Sequence, residues 1–376
     1  MLGGMHTLPP RTLPPVLLLT ALLGGPARAA PQVALYTMGA GDEVFSRYGH
    51  AALCVRAEGE ESGTCYNYGM TDFSSATRVS LDFVRGRARF WVATQSESGM
   101  MSSYKHQDRT LYRQVLPLDE AAATGLAEDL ATAALEENRY YKYHHLTDNC
   151  TTRVRDHIDQ RTSGALSKGS DTPLQKTYRD YARAGFSDAP ALLLGTDLMV
   201  GRATDFRLTR WQEMFLPDAL REEVERRLGV APVKVYTRKG PPHPGDGTDG
   251  WQSWIAAGAV LAGVVSAGKA RRWSLALPGL ALGLAGLASW AMAIASPEAE
   301  LRWNEAVLLM WPTDLALPLL SGARLAGYLK LRLATVGLIA LGLATGLLHQ
   351  PLWGLLAFLG LPLGMAALRG AGRAST

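Results

Sequence analysis

The chain has 376 residues, 47% of them apolar, and a net charge of +4. That length exceeds one small core and points to two units. From Trp251 onward nine Lys/Arg face four Asp/Glu, whereas residues 31–250 are slightly acidic, so the basic charge belongs to the apolar C-terminal half. No Lys/Arg block carries interleaved aromatics, which excludes nucleic acid as a partner.

At the N-terminus, Arg11 precedes the apolar stretch 16–23, and Ala27-Arg28-Ala29 is a small-residue cleavage pattern. Residues 1–30 therefore read as a secretory signal cut near Ala29 or Ala30. The alternative is an uncleaved anchor helix, for which the apolar run is short. Either way, the residues from Pro31 onward emerge outside the cytoplasm. Residues 31–240 form the extracytoplasmic unit. Strands are expected at 33–36, 50–56, 64–68, 90–94 and 112–116. The second and third are joined as a hairpin by the polar, Gly-containing linker 57–63. A helix is expected over 119–138, where Leu126, Leu130 and Ala134 recur at i+4. Another starts at Cys150, residues 165–200 are less regular, and a short helix covers 216–228.

Pro241-Pro242-His243-Pro244-Gly245-Asp246-Gly247, within a linker at 241–250, marks a boundary. Beyond it, residues 251–370 contain four candidate membrane spans, at 251–268, 275–295, 333–348 and 352–368. Lys269, Arg271 and Arg272 put the first connection on the cytoplasmic side and the preceding domain outside. Trp251, Trp254, Trp273 and Trp290 lie near span ends, as interfacial aromatics do. Segment 298–320 mixes Glu300, Arg302, Asn304, Glu305 and Asp314 with Leu and Trp. It reads as an interfacial or re-entrant stretch under the outer domain, or as a plain loop.

There are three cysteines. In the hairpin, Cys54 and Cys65 fall opposite each other, near disulfide range, and the exported compartment favours their oxidation. The alternative is a pair of small buried residues. The pairing leaves Cys150 free. Asn149 is a favoured helix N-cap, so Cys150 opens the helix, where the positive end of the dipole lowers a thiol pKa. Cys150, Val154 and Ile158 share one face, which turns the thiol toward the sheet. The competing reading is an inert buried cysteine. A nucleophilic thiol needs a base near neutral pH. His50, at the head of a strand, is one candidate, and His144 and His145 are others. In the hairpin register Asn67 shares a face with His50 and can orient its ring. A one-residue slip would turn Asn67 away. Asn149, Asp148 and Arg153 surround the helix start, whose backbone N–H groups can hold an oxyanion. No His/Cys cluster has metal-ligand spacing, and no cofactor or metal is expected.

The strings Tyr48-Gly49-His50-Ala51, Tyr66-Asn67-Tyr68-Gly69-Met70-Thr71-Asp72-Phe73 and Asp148-Asn149-Cys150-Thr151-Thr152-Arg153 resemble the exported domain of Lnb-type bacterial lipoprotein N-acyltransferases. The resemblance covers about residues 31–220. Trp303-Asn304-Glu305-Ala306-Val307-Leu308-Leu309 resembles a family element at the membrane face. What the resemblance implies is an α+β, circularly permuted papain-like (NlpC/P60-like) domain followed by an all-α transmembrane bundle. It implies a multi-pass protein of the bacterial inner membrane with its catalytic domain in the periplasm. Cys150 would carry an acyl chain from a phospholipid as a thioester and pass it to the N-terminal amine of a lipoprotein, with His50 as base. A membrane-anchored cysteine peptidase or amidase acting on cell-wall peptides would use the same two residues. A non-enzymatic membrane sensor would not need them intact.

Overall fold

The computed structural model describes residues 30–72, 74–242, 250–268 and 271–374. All but the last residue of the expected signal at 1–30, most of the linker 241–250, and Lys269 lie outside the described residues. An antiparallel sheet domain comes first and a helical region comes after it. The sheet strands are β1 (Gln32–Met38), β2 (His50–Arg56), β3 (Thr64–Met70), β4 (Arg89–Ser96), β5 (Leu111–Val115), β6 (Tyr140–Lys142), β7 (Pro173–Thr177), β8 (Arg207–Thr209) and β9 (Val233–Tyr236). Seven of them form one sheet in the order β6-β4-β3-β2-β1-β5-β9, and β7 pairs with β8 separately.

The sheet-domain helices are α1 (Ala76–Val84), α2 (Glu97–His106), α3 (Glu120–Ala133), α4 (Cys150–Arg161), α5 (Tyr178–Gly185), α6 (Pro190–Met199), α7 (Arg210–Glu213) and α8 (Pro217–Leu228). Both faces of the sheet are covered. On one, Val33, Leu35, Ala51 and Leu53 pack against Leu126 and Leu130 of α3, Val154 and Ile158 of α4, and Leu220 and Val224 of α8. On the other, Ala34, Tyr36, Ala52 and the disulfide pair meet Met100 of α2. The hairpin register is the expected one: Cys54 faces Cys65 and Leu53 faces Tyr66. The two sulfurs are bonded.

Helix α3 is shorter than the Ala-rich run predicted. Asp119 is its N-cap, accepting from Ala122 N–H at 2.7 Å, and the chain turns after Ala133, where Asn138 Nδ2 donates to Thr132 O at 3.0 Å. Competition of short polar side chains for backbone groups ends helices in this way. Residues 165–200, which showed no clear period, hold β7, α5 and α6.

The helical region comprises α9 (Gly250–Ala267), α10 (Arg271–Ala295), the short α11 (Ala299–Arg302), α12 (Gly322–Ala344) and α13 (Trp353–Ala374). Four of these are long and apolar enough to cross a membrane. Two predicted spans move. The third begins at Gly322, not 333, and takes in Lys330 and Arg332. The fourth begins at Trp353 and runs on to Ala374. The charge that argued for a later start of α12 is compensated, because Arg332 Nη2 lies 2.8 Å from Asp314 Oδ2 with both side chains fully buried. Tyr328 Oη donates to the same carboxylate at 2.8 Å. Trp254 is also displaced from its expected interfacial role. It is buried, and its Nε1 donates to Asp197 Oδ2 at 2.9 Å. Asp197 of α6 also accepts from Arg179 and Arg183, so one carboxylate ties α5, α6 and α9 together.

Segment 298–320 is a packed element. It forms α11 and two 3₁₀ stretches, Glu305–Leu308 and Pro312–Leu319. The second stretch lies along α10, where a Cβ at Gly283 would collide with Leu315 and one at Gly286 with Trp311. Only a bare backbone permits that approach. Asn304 Nδ2 donates to Leu198 O at 2.7 Å, and Glu305 Oε2 accepts from the N–H groups of His349 and Gln350. The segment thus joins α6 to the α12–α13 connection.

Removing one partner of a buried ion pair strands the other charge, at a cost of about 3–5 kcal/mol. Asp314→Ala should lower the stability of the solubilised protein by that order, whereas Asp314→Leu combined with Arg332→Leu should cost much less. Denaturant titration of the three proteins checks this.

Candidate active site

The site begins with a cap. Asn149 adopts an extended backbone, and its Oδ1 accepts from Thr151 N–H at 2.8 Å and Thr152 N–H at 2.9 Å. Thr152 Oγ1 accepts in return from Asn149 N–H at 2.8 Å, completing a capping box. Asn149 Nδ2 donates to His145 O at 2.8 Å and Phe215 O at 3.1 Å. Cys150 is therefore the first helical residue, as its neighbours in sequence implied. It is half-buried, and it is the free cysteine of the chain.

Helix α4 packs on β2 and β3. The Cys150 sulfur receives the backbone N–H of Ala51, the residue after His50, along with the Thr151 hydroxyl and N–H. Close approach to β3 requires Gly69. Its φ is +82°, and a Cβ there would stand 3.1 Å from Cys150 Cβ. His50 is buried, and its Nε2 lies 3.3 Å from Asn67 Oδ1. Its ring stacks on Tyr104 of α2, with centroids 5.9 Å apart. The structure therefore joins His50 to Asn67 and sets Cys150 against Ala51, the residue that follows His50 in β2.

The expected lowering of the thiol pKa does not occur. Burial pushes Cys150 up, and the Thr151 hydroxyl, the Ala51 and Thr151 amides and Arg109 oppose it without overcoming it. Burial also drives His50 down to about 4, assisted by the Arg109 charge and resisted by Asn67. At neutral pH the resting pair is a neutral thiol and a neutral imidazole. Desolvation penalises the charged form of each group, which accounts for both directions.

The other predicted residues are placed differently. Asp148 and Arg153 pair with each other, Nη2 to Oδ2 at 2.7 Å, and the guanidinium lies 4.3 Å from the Tyr141 ring centre. They brace the helix start. Of the N–H groups at the helix start, those of Thr151 and Thr152 are taken by Asn149. One residue that sequence reasoning missed is Arg109, buried between the β5 end and Tyr104, whose charge is felt at both Cys150 and His50. An arginine in a short connection carries no pattern that would single it out.

His144 and His145 face away from Cys150, toward α11. His144 Nε2 is 3.0 Å from Glu300 Oε1 and 3.4 Å from Glu298 Oε2, and His145 Nδ1 is 3.7 Å from Glu300 Oε1. The ligand-type atoms of His144, His145 and Glu300 fall within 4.8 Å of one another, a grouping with no counterpart in sequence spacing. The backbone N–H groups of Leu146 and Thr147 donate to His144 Nδ1, which leaves the ring proton on Nε2, directed at the carboxylates. The group is thus an ion-pair cluster joining the sheet domain to the segment after α10.

With the geometry in place, comparison adds one decisive observation. Residues 28–184 match the family model described as the Lnb N-terminal periplasmic domain. That region is thus similar to the periplasmic domain of Lnb-type proteins. The matched region contains His50, Asn67, Arg109 and Cys150 and ends within α5, before the helical region. No curated protein and no solved structure matches the chain. A periplasmic-type domain followed by four helices apolar enough to cross a membrane makes this a membrane protein with a periplasmic domain.

The cluster at α11 has a pH signature. Burial pulls His144 down, but the Glu300 hydrogen bond and the charges of Glu300 and Glu298 outweigh it, and its pKa ends raised. Burial pushes Glu300 up, but the two histidines win and it ends lowered. The His144 contribution is complete below the usual histidine value, about 6.5, and is lost as pH rises through the raised value. The Glu300 contribution is complete above the usual glutamate value, about 4.3, and is lost as pH falls through the lowered one. His144→Ala should therefore cost most stability between about pH 4.5 and 6.5, and progressively less above that window. Thermal melts of both proteins across pH check the sign.

Proposed function

We propose that the protein is a cysteine-dependent N-acyltransferase that moves an acyl chain from a phospholipid to the N-terminal amine of lipoproteins. The observation that carries this reading is the His50–Asn67 contact beside a cap-held Cys150, on a domain joined to four apolar helices. With Nε2–H donating to Asn67 Oδ1, the Nδ1 lone pair is left to take the thiol proton. The sulfur attacks the ester carbonyl, the tetrahedral intermediate collapses, and the lysophospholipid alkoxide leaves with the proton from His50. The α-amino group of the acceptor then attacks the thioester, His50 accepts its proton, and the Cys150 thiol is restored. Splitting the transfer at a thioester divides one difficult step into two easier ones.

Because the resting pair is neutral, His50 acts as a true general base, and charge develops only when an ester is in place. The His50 strand preceding the Cys150 helix in the chain supports a circularly permuted papain-like arrangement over residues 31–240. The four apolar helices over 251–370 support a multi-pass inner-membrane protein whose substrates are lipids. A cleft lined by Tyr48, Gly49, Tyr181, Leu216 and Pro217 opens beside the head of β2 and offers room for an acceptor N-terminus.

Cys150→Ser and His50→Ala should each abolish N-acylation at normal protein level, and Asn67→Ala should reduce it less. Loss of a general base alone costs about 10²-fold or more. Mass spectrometry of lipoprotein N-termini in cells that depend on this protein reads all three. An acyl thioester on Cys150 in the wild type supports transfer, whereas release of wall peptides without such an adduct would favour a peptidase. Full acylation with Cys150→Ser would sink the proposal.

A further inference from the structure

Arg109 is 5% exposed. Its Nε donates to Gly39 O at 2.9 Å, and its guanidinium lies 4.9 Å from the centre of the Tyr104 ring, the same ring that stacks on His50. Its Nη2 has no hydrogen-bond partner. Among the described residues no carboxylate stands within ion-pair distance of it. A buried cation without a counter-charge is costly, and such a group persists where an anion forms or binds.

The buried groups around Arg109 and Cys150 include one that can become an anion in the reaction, the thiol itself. His50 and Asn67 come from β2 and β3, Tyr104 from α2, and Tyr141 and Tyr143 from β6 and the turn after it. The three tyrosines are held neutral, chiefly by burial. Asp148 is matched by Arg153. The buried charge at the site is Arg109, and its electrostatic partners are Tyr104, Cys150 and the solvent-exposed Glu43, which lies beyond ion-pair distance.

We propose that Arg109 is the counter-cation for the anion that forms at Cys150. It stabilises the thiolate as the thiol proton passes to His50. Resting on the acyl-transfer reading above, it also serves the negative oxygen of the tetrahedral intermediate formed next. In that sequence the S–H bond breaks and the proton goes to His50 Nδ1. The C–S bond then forms while the carbonyl π pair moves to oxygen, and collapse expels the alkoxide with the proton returned. The net charge of the pocket stays constant: His50 gains a positive charge as the sulfur, and then the carbonyl oxygen, gains a negative one, and the guanidinium, which opposes the first and favours the second, is fixed beforehand. Preorganised charge of this kind needs no reorganisation at the moment of reaction.

The test reads the thiol directly. The full-length solubilised protein is alkylated with iodoacetamide across pH, since Cys54 and Cys65 are bonded and Cys150 alone reacts. Arg109→Gln and Arg109→Met should each shift the alkylation midpoint upward and slow the reaction near neutral pH by about tenfold, one pKa unit being tenfold in thiolate. Arg109→Lys should restore most of the rate. Two neutral variants are used so that one folded protein suffices, with folding confirmed by the intact disulfide and a cooperative melt. An unchanged midpoint in a folded neutral variant overturns the proposal, and so does Arg109→Lys behaving like the neutral variants. Alkylation needs no lipid. A charge-dependent midpoint in a protein that forms no acyl thioester would leave the Arg109 assignment standing and the acyltransferase reading refuted.

Discussion

Asn149 uses every hydrogen-bonding group it has, and that fixes the position of the reactive sulfur. Its carbonyl oxygen closes the first turn of α4, and its amide nitrogen reaches two carbonyls, one in the preceding loop and one at Phe215 before α8. A cap of this sort stabilises a helix by about 1 kcal/mol. Here the cap also joins three chain segments around one buried side chain. The helix start is pinned against β2 and β3, and Cys150 has a fixed address beside the Ala51 amide.

Fixing the sulfur in a buried place has an electrostatic result. The helix terminus favours an anion, but removal from water disfavours it more, and the same removal keeps His50 uncharged. The site therefore differs from one that stores a thiolate–imidazolium pair. Its thiol stays protonated at rest. A free thiol in an oxidising compartment gains from this, because thiol oxidation tracks thiolate character and exposure.

Local chemistry was legible in the sequence. The hairpin register places Cys54 against Cys65 and lets Asn67 meet His50, since two strands with a short linker pair in few ways. The Asn149 cap needed only its own tripeptide. What the sequence withheld were effects that depend on distant partners or on depth. Arg332 read as a charge outside a span because Asp314 lies 18 positions away. Trp254 read as interfacial because nothing linked it to Asp197. Arg109 became meaningful only when folding set it under Tyr104, and the rise in the Cys150 pKa is a property of burial that no local pattern encodes.

The Asp314–Arg332 contact also bears on how the chain enters the bilayer. An arginine inside a helix that crosses hydrocarbon costs roughly 2.5–3.5 kcal/mol on insertion when it travels alone. Its carboxylate partner arrives on a segment that is seated in the bare-backbone groove of α10. Arg332 of α12 is neutralised only where that segment is packed along α10. The charge that α12 carries is thus answered from a separate segment, one seated along α10.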